Sequence, residues 1–264
     1  MIADALLSAT EEKLQEPKVE QVMIGLAYTG VMLSDGSCGL AATPHERGGC
    51  TAFHGAGTLA GRSAWELAQG FLSADPLLSA LGLATVNAAL SFGGRAYPAP
   101  TPQDVDPLKA LAVSKNDVVG MVGHIGPLVG PIRARAKELI IFERDLARHS
   151  PGILPDWAAE WELPRCDVVF LSGTTFINKT VDHLLSLACG IDIPRAECRG
   201  KVAVIGPSTP MWPGLFLYGI DWLFGAKVRD PDRALRTVAE GGGTQALYRN
   251  GLAKVALGRE DADH

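Results

Sequence analysis

The chain contains no CxxC pair, no block of basic residues and no uninterrupted apolar stretch long enough to cross a membrane. Each absence removes a class of function. The five cysteines (Cys38, Cys50, Cys166, Cys189 and Cys198) stand apart from one another. That excludes a ribbon- or finger-type zinc site and reads as a reduced, cytoplasmic protein. The net charge is -5, and the short run Arg133, Arg135, Lys137 is broken by Glu138, so no nucleic-acid partner is expected. The longest apolar region, Val202–Ala226, is interrupted by Pro207, Pro210, Pro213 and Asp221. It reads as a buried strand, a loop and a helix, and no membrane partner is expected. The N-terminus has acids where a secretion signal needs a basic start. It reads instead as an amphipathic helix with Ile2, Ala5, Leu6 and Leu14 on one stripe, stopped by Pro17.

What is present is most concentrated in Asp117–Asp145, DVVGMVGHIGPLVGPIRARAKELIIFERD. Val118–Val122 is an apolar run of strand length. Gly120, Gly123 and Gly126 allow a tight turn and close approach to a ligand. Leu139–Phe142 is a second buried run, closed by Glu143, which lies about twenty residues beyond the turn. A nucleotide-binding α/β fold places an acid at that spacing beside a hydroxyl pair. The alternative for Glu143 is a solvated strand end. The spacing is G-x-x-G-x-x-G, so the dinucleotide fingerprint is absent.

Organisation changes at Tyr97–Pro107, where four prolines and two acids resist both helix and strand. Before it, Val19–Leu33 and Cys38–Ala42 read as strands, with a break beginning at Gly30. Ser63–Leu72 and Pro76–Leu90 read as helices. Beyond it, strands at Val118–Val122, Leu139–Phe142, Val168–Leu171, Val202–Ile205 and Lys227–Arg229 alternate with helices. These helices are Leu128–Ala136, Asp156–Glu162, Asn178–Cys189 and Leu215–Phe224, and Asp232–Ala239 follows the last strand. Apolar strands without alternation suit a parallel sheet covered on both faces. The fold class is α/β: a Rossmann-like doubly wound parallel sheet (108–264), preceded by a smaller α+β domain (1–97) and a linker (98–107).

Three polar loops follow predicted strands. The first is Gly123–Gly126, with His124 as the one candidate general base. The second is Ser172–Thr180, offering Gly173, Thr174, Thr175, Asn178 and Thr180 to an anion or a polar ring edge. Its alternative is helix capping. The third is Gly206–Pro210, where Pro207 and Pro210 hold Ser208 and Thr209 rigidly. Gly241–Thr244 is either a flap or a helix terminator. No G-x-S-x-G elbow accompanies Ser208. A second glycine-rich cluster, Gly48–Arg62, carries Cys50 and His54, with His45 nearby. With His124 these are the available donors for a soft or borderline metal, but their spacing matches no closed zinc site. The expected metal set is therefore none, and any metal arrives inside an organic complex. Trp212–Phe216 is the candidate surface for a homodimer.

Four motifs together are similar to one family. They are Leu83–Ala88 (LATVNA), Val119–His124 (VGMVGH), Asp167–Thr180 with its SGTTFINKT loop, and Ile205–Pro210 (IGPSTP). The chain resembles the bacterial and archaeal proteins described as "putative heavy-metal chelation" domain proteins. The resemblance implies an enolase-N-terminal-like domain joined to a Rossmann-like one, and a small-molecule site in the cleft between them. It adds Asn87 and Thr51 to the contact set. Homologues are expected to have Trp-Thr where this chain has Cys50-Thr51. It implies an enzyme acting on a pterin-, flavin- or siderophore-like metabolite; the alternatives are a non-catalytic binder of a metal ion or metal complex, and a methyltransferase-like enzyme. The cofactor it allows is a metal ion or bound metal complex.

Overall fold

The structure is a computed structural model, which describes residues 1–44, 53–91, 105–145, 151–190 and 200–259. Helix α1 (Ile2–Leu14) buries Ile2, Leu6 and Leu14, the stripe read from the sequence. Strands β1 (Val19–Ile24), β2 (Tyr28–Leu33) and β3 (Cys38–Ala42) form an antiparallel sheet in that order. The first turn is at residues 25–27, earlier than the expected break at Gly30, with Leu26 exposed at its tip. Gly30 lies inside β2, where its missing side chain makes room for Leu235.

Helices α2 (Ala64–Gln69) and α3 (Pro76–Ser91) follow. Nearly every residue of α3 from Leu77 to Ala89 is buried, because the helix is covered on two sides. One side lies on β3 so closely that a Cβ on Gly39 would stand 2.2 Å from both the Ala84 carbonyl oxygen and the Ala88 nitrogen. The other side meets the second sheet's loops. A helix apolar all round is what such a position requires.

The larger part contains α4 (Pro107–Ala110), β4 (Val118–Val122), α5 (Gly126–Arg135), β5 (Glu138–Glu143), β6 (Ile153–Pro155), α6 (Ala159–Glu162) and β7 (Val168–Ser172). These are followed by α7 (Thr174–Ile177), α8 (Val181–Cys189), β8 (Lys201–Ile205), β9 (Trp222–Val228), α9 (Pro231–Ala239), α10 (Thr244–Asn250) and β10 (Leu252–Gly258). The seven strands run in the order β10-β9-β8-β7-β4-β5-β6, all parallel except the last hairpin of β9 with β10. The mixed α/β class with a doubly wound, mostly parallel sheet and a smaller antiparallel one is as read from the sequence. Of the stretch assigned as linker, residues 98–104 lie outside the described residues. At its end the Asp106 carboxylate accepts the Leu108 N–H and caps α4.

Several elements differ from expectation: the helix expected at Asn178–Cys189 starts at Val181, and α10 was not anticipated. The helix expected at Leu215–Phe224 is a 3₁₀ turn over Pro213–Tyr218, ended by Gly219 at φ +85°. From Trp222 the chain is strand, and Trp222 stacks on Phe224 at 5.6 Å between centroids on one face of the sheet. Strand β10 was not anticipated, since Leu252–Gly258 mixes lysine and small residues. Nor was β6, whose three residues carry no periodicity. Cys189 is disulfide-bonded, which corrects the reading of every thiol as reduced. No helix among the described residues is long and apolar enough to cross a membrane.

Candidate functional site

The sheet's connectivity reverses beside β4: β5 and β6 lie on one flank, β7 and β8 on the other. Parallel strands deliver the loops after β4, β7 and β8 to one edge, and the reversal leaves a crevice between the first two. Gly123 turns the chain there at φ +86° and donates its N–H to the Phe142 carbonyl at 2.8 Å. A Cβ on it would also lie 2.9 Å from the Cβ of Ser172. Conformation and contact both require glycine.

Glu143 ends β5 and is 8% exposed. Its carboxylate accepts backbone N–H groups from His124 at 3.0 Å, Arg144 at 2.8 Å and Asp145 at 3.0 Å. The solvated strand end weighed for it is therefore corrected: the acid braces the glycine turn against β5. His124 is exposed.

The loop after β7 uses much of its polarity internally. Ser172 Oγ accepts from the Thr174 N–H and hydroxyl at 3.3 and 2.9 Å. The buried Thr175 hydroxyl donates to the Ser172 carbonyl at 2.8 Å. Asn178 Oδ1 accepts from the Thr180 N–H and hydroxyl at 3.2 and 2.7 Å. These are the local turn bonds expected of such residues. Thr174 and Asn178 remain exposed.

Sequence reasoning missed Lys179, which closes this loop at φ +63°. Its Nζ donates to Ser79 Oγ on α3 and to the Ile177 carbonyl at 3.0 Å, and stands 4.3 Å from the centre of the Phe71 ring. Ser79 Oγ donates to the same carbonyl at 2.7 Å. Burial pushes the amine down to about 8. Lys179 thus ties the β7 loop to the first part of the chain. The positive φ and the partner on α3 are tertiary features that leave no local sequence signal.

The loop after β8 completes the seam. Gly173 packs directly on Ser208 and Thr209: a Cβ there would be 2.8 Å from the Thr209 nitrogen. Ser208 Oγ accepts the Ala42 N–H at the end of β3 at 2.8 Å. Asn87 Nδ2 on α3 donates to the Leu40 carbonyl at 2.9 Å and to the Ser208 carbonyl at 3.2 Å. Glu143, Gly123, Ser172, Gly173, Thr209, Ser208 and Asn87 therefore form one contiguous line across the strand edge, with Pro207 buried beneath it. Two polar atoms on the line, Asn87 Oδ1 and Thr209 Oγ1, are buried without a hydrogen-bond partner, and Thr209 is only 2% exposed.

His45, Cys50 and Thr51 lie outside the described residues. His54 is exposed. Among the described residues no group of three or more His, Cys, Asp or Glu could hold a metal ion. Cys38 and Cys166 are free, and burial pushes both thiols up to about 12, far from the reactive thiolate form. Gly241–Thr244 terminates α9: Gly242 donates to the Thr237 carbonyl at 2.8 Å behind Gly241 at φ +77°. Leu215 and Phe216 of the candidate dimer surface are buried, while the neighbouring Leu217 is exposed.

The sequence matches the family DUF364, described as "putative heavy-metal chelation", over residues 106–257. It matches DUF4213, of the same description, over residues 7–90. An uncharacterised protein of Methanocaldococcus jannaschii is 31% identical over 129 residues, which is 47% of each chain. The chain thus spans about half the length of that curated relative. A crystal structure of a DUF364-family protein of unknown function from Desulfitobacterium hafniense is similar at 25% identity and a TM-score of 0.78, covering 97% of this chain and 96% of the other. Another, from Pyrococcus horikoshii, shares the fold at a TM-score of 0.81 and 20% identity, covering 98% and 100%.

Proposed function

The chain belongs to the family described as "putative heavy-metal chelation", and from that premise we propose that it holds a small organic chelator, or the metal complex of one, in the seam between its two sheets. The ligand is a chelating or heterocyclic metabolite, of pterin, flavin or siderophore type. The observation that carries this reading is the pair of buried, unpartnered atoms Asn87 Oδ1 and Thr209 Oγ1. Each costs about 1–3 kcal/mol as it stands, and each is repaid when a ligand brings a donor or acceptor. Their neighbours are backbone amides, a hydroxyl and a carboxamide. Such groups suit the heteroatoms of an organic molecule, whereas soft or borderline cations prefer thiolate and imidazole.

If the bound molecule is also transformed, exposed His124 is the candidate side chain for proton transfer. A methyltransferase-type reading gains nothing here, because the Glu143 carboxylate is engaged by three backbone N–H groups. Calorimetric titration tests the proposal, with zinc, nickel and cobalt(II) salts in one series and the ferric complex of 2,3-dihydroxybenzoate in the other. The organic complex binds the parent and is weakened about tenfold or more in Thr209→Val, the cost of one lost hydrogen bond in a buried site. Tight stoichiometric binding of the bare ions, unaffected by that substitution, would overturn it.

A further inference from the structure

The side chain of Asn87 has only one possible orientation. Its Nδ2 donates to the Leu40 carbonyl at 2.9 Å and to the Ser208 carbonyl at 3.2 Å. A side-chain amide has two N–H hydrogens, and those two bonds engage both. Turning the amide over would set its oxygen against two carbonyl oxygens, so the network fixes which atom is which. The buried atom left without a partner, Oδ1, is therefore an acceptor and nothing else. What it lacks is a hydrogen.

Ser208 offers the opposite. It is 3% exposed, and its Oγ accepts the Ala42 N–H at 2.8 Å. Its own hydroxyl hydrogen remains to be given, and no acceptor among the described residues takes it. The end of β3, the Asn87 side chain and Ser208 meet in one hydrogen-bonded knot. The knot thus sets one fixed acceptor beside one fixed donor. The Thr209 hydroxyl, next along the chain, can play either part and does not discriminate.

The complement of an acceptor beside a donor is a group with an N–H beside a carbonyl. A carboxylate or an ester carries only acceptors and would bring an oxygen against Oδ1. We propose that the seam recognises an amide group of its ligand, a carboxamide or a ring lactam. The ligand N–H goes to Asn87 Oδ1 and its carbonyl takes the Ser208 hydroxyl hydrogen. The inference rests on the ligand reading above and deepens it, because it names the group by which the metabolite is held. Buried hydrogen-bonding groups reject analogues that leave them unpaired. Asn87 is then the residue that sets specificity, while Thr209 adds affinity.

The test is calorimetric titration of the full chain with the ferric complexes of three probes of similar size: 2,3-dihydroxybenzamide, 2,3-dihydroxybenzoate and methyl 2,3-dihydroxybenzoate. The benzamide complex binds the parent about tenfold or more tighter than either of the others. The neutral ester separates hydrogen bonding from charge. Thr209→Val weakens all three together and keeps the ratio. Asn87→Ala brings them to nearly equal affinity; circular dichroism checks the fold of that variant, and the probe series on the parent decides without it. A benzoate or an ester complex that binds as tightly as the benzamide overturns this inference and leaves the seam reading standing. A ratio lost in Thr209→Val, or kept in folded Asn87→Ala, likewise overturns it. Failure of all three complexes to bind the parent overturns both.

Discussion

Thr209→Val should make the ligand-free protein more stable, the reverse of most substitutions in a core. Thr209 is 2% exposed and its hydroxyl has no partner. A buried unpaired hydroxyl costs about 1–3 kcal/mol. Valine has the same shape and replaces that oxygen with a methyl group, whose burial contributes about 0.8 kcal/mol. Allowing for incomplete relaxation around the new methyl, we expect a gain of about 1–2 kcal/mol. For a chain of this length that raises Tm by roughly 2–6 °C. The same substitution removes a contact to the ligand, so saturating ligand should stabilise the variant less than the parent. Stability gained where binding is lost is the mark of a residue kept for function. Urea melts and scanning calorimetry, with and without the ferric dihydroxybenzoate complex, read both effects. A ligand-free variant less stable than the parent by 1 kcal/mol or more, on the same scale as a lost hydrogen bond, would refute the reasoning. It would show that the hydroxyl already has a partner.

Lys179→Met should destabilise the protein by about 2 kcal/mol, since it removes a charged donor from Ser79 and the Ile177 carbonyl; urea melts measure it. Burial holds the Lys179 amine at about 8 against 10.5 in the unfolded chain. Between those values the unfolded state binds more protons, so stability should rise with pH from about 8 to 10.5 through this group. Melts at pH 7.5 and 9.5 should show that rise in the parent and a smaller one in Lys179→Met. Glu143→Ala strips an acceptor from three backbone N–H groups and should cost about 3 kcal/mol. Hydrogen exchange should quicken at the His124, Arg144 and Asp145 amides, and Glu143→Gln should lie between the two. Unchanged exchange in Glu143→Ala would deny the brace.

The parts of the fold legible in the sequence are those whose signal is local. Val118–Val122, Leu139–Phe142, Val168–Leu171 and Val202–Ile205 are buried on both faces of a parallel sheet and therefore read as unbroken apolar runs. The end of β9 was read at Lys227–Arg229, but its start, Trp222–Phe224, was hidden because it continues an apolar run that also suits a helix. Only the pairing with β8 and β10 decides between them. At the candidate site, the glycine turn and the Ser208-Thr209 loop were visible as types of residue. What those residues do was not visible. Glu143 was read as a ligand contact or a solvated end; that it also braces the chain was not visible, because one of the amides it accepts, that of His124, comes from a turn nineteen residues away. Lys179 was overlooked for the same reason: a clamp to α3 exists only once distant segments meet.

Native mass spectrometry with elemental analysis on the freshly purified full chain tests the central claim most directly. The account predicts an organic small molecule retained one per chain, depleted in Thr209→Val, with any metal present in proportion to that organic mass. A metal bound stoichiometrically with no organic companion would contradict it, as would an organic ligand retained equally by the parent and by Thr209→Val.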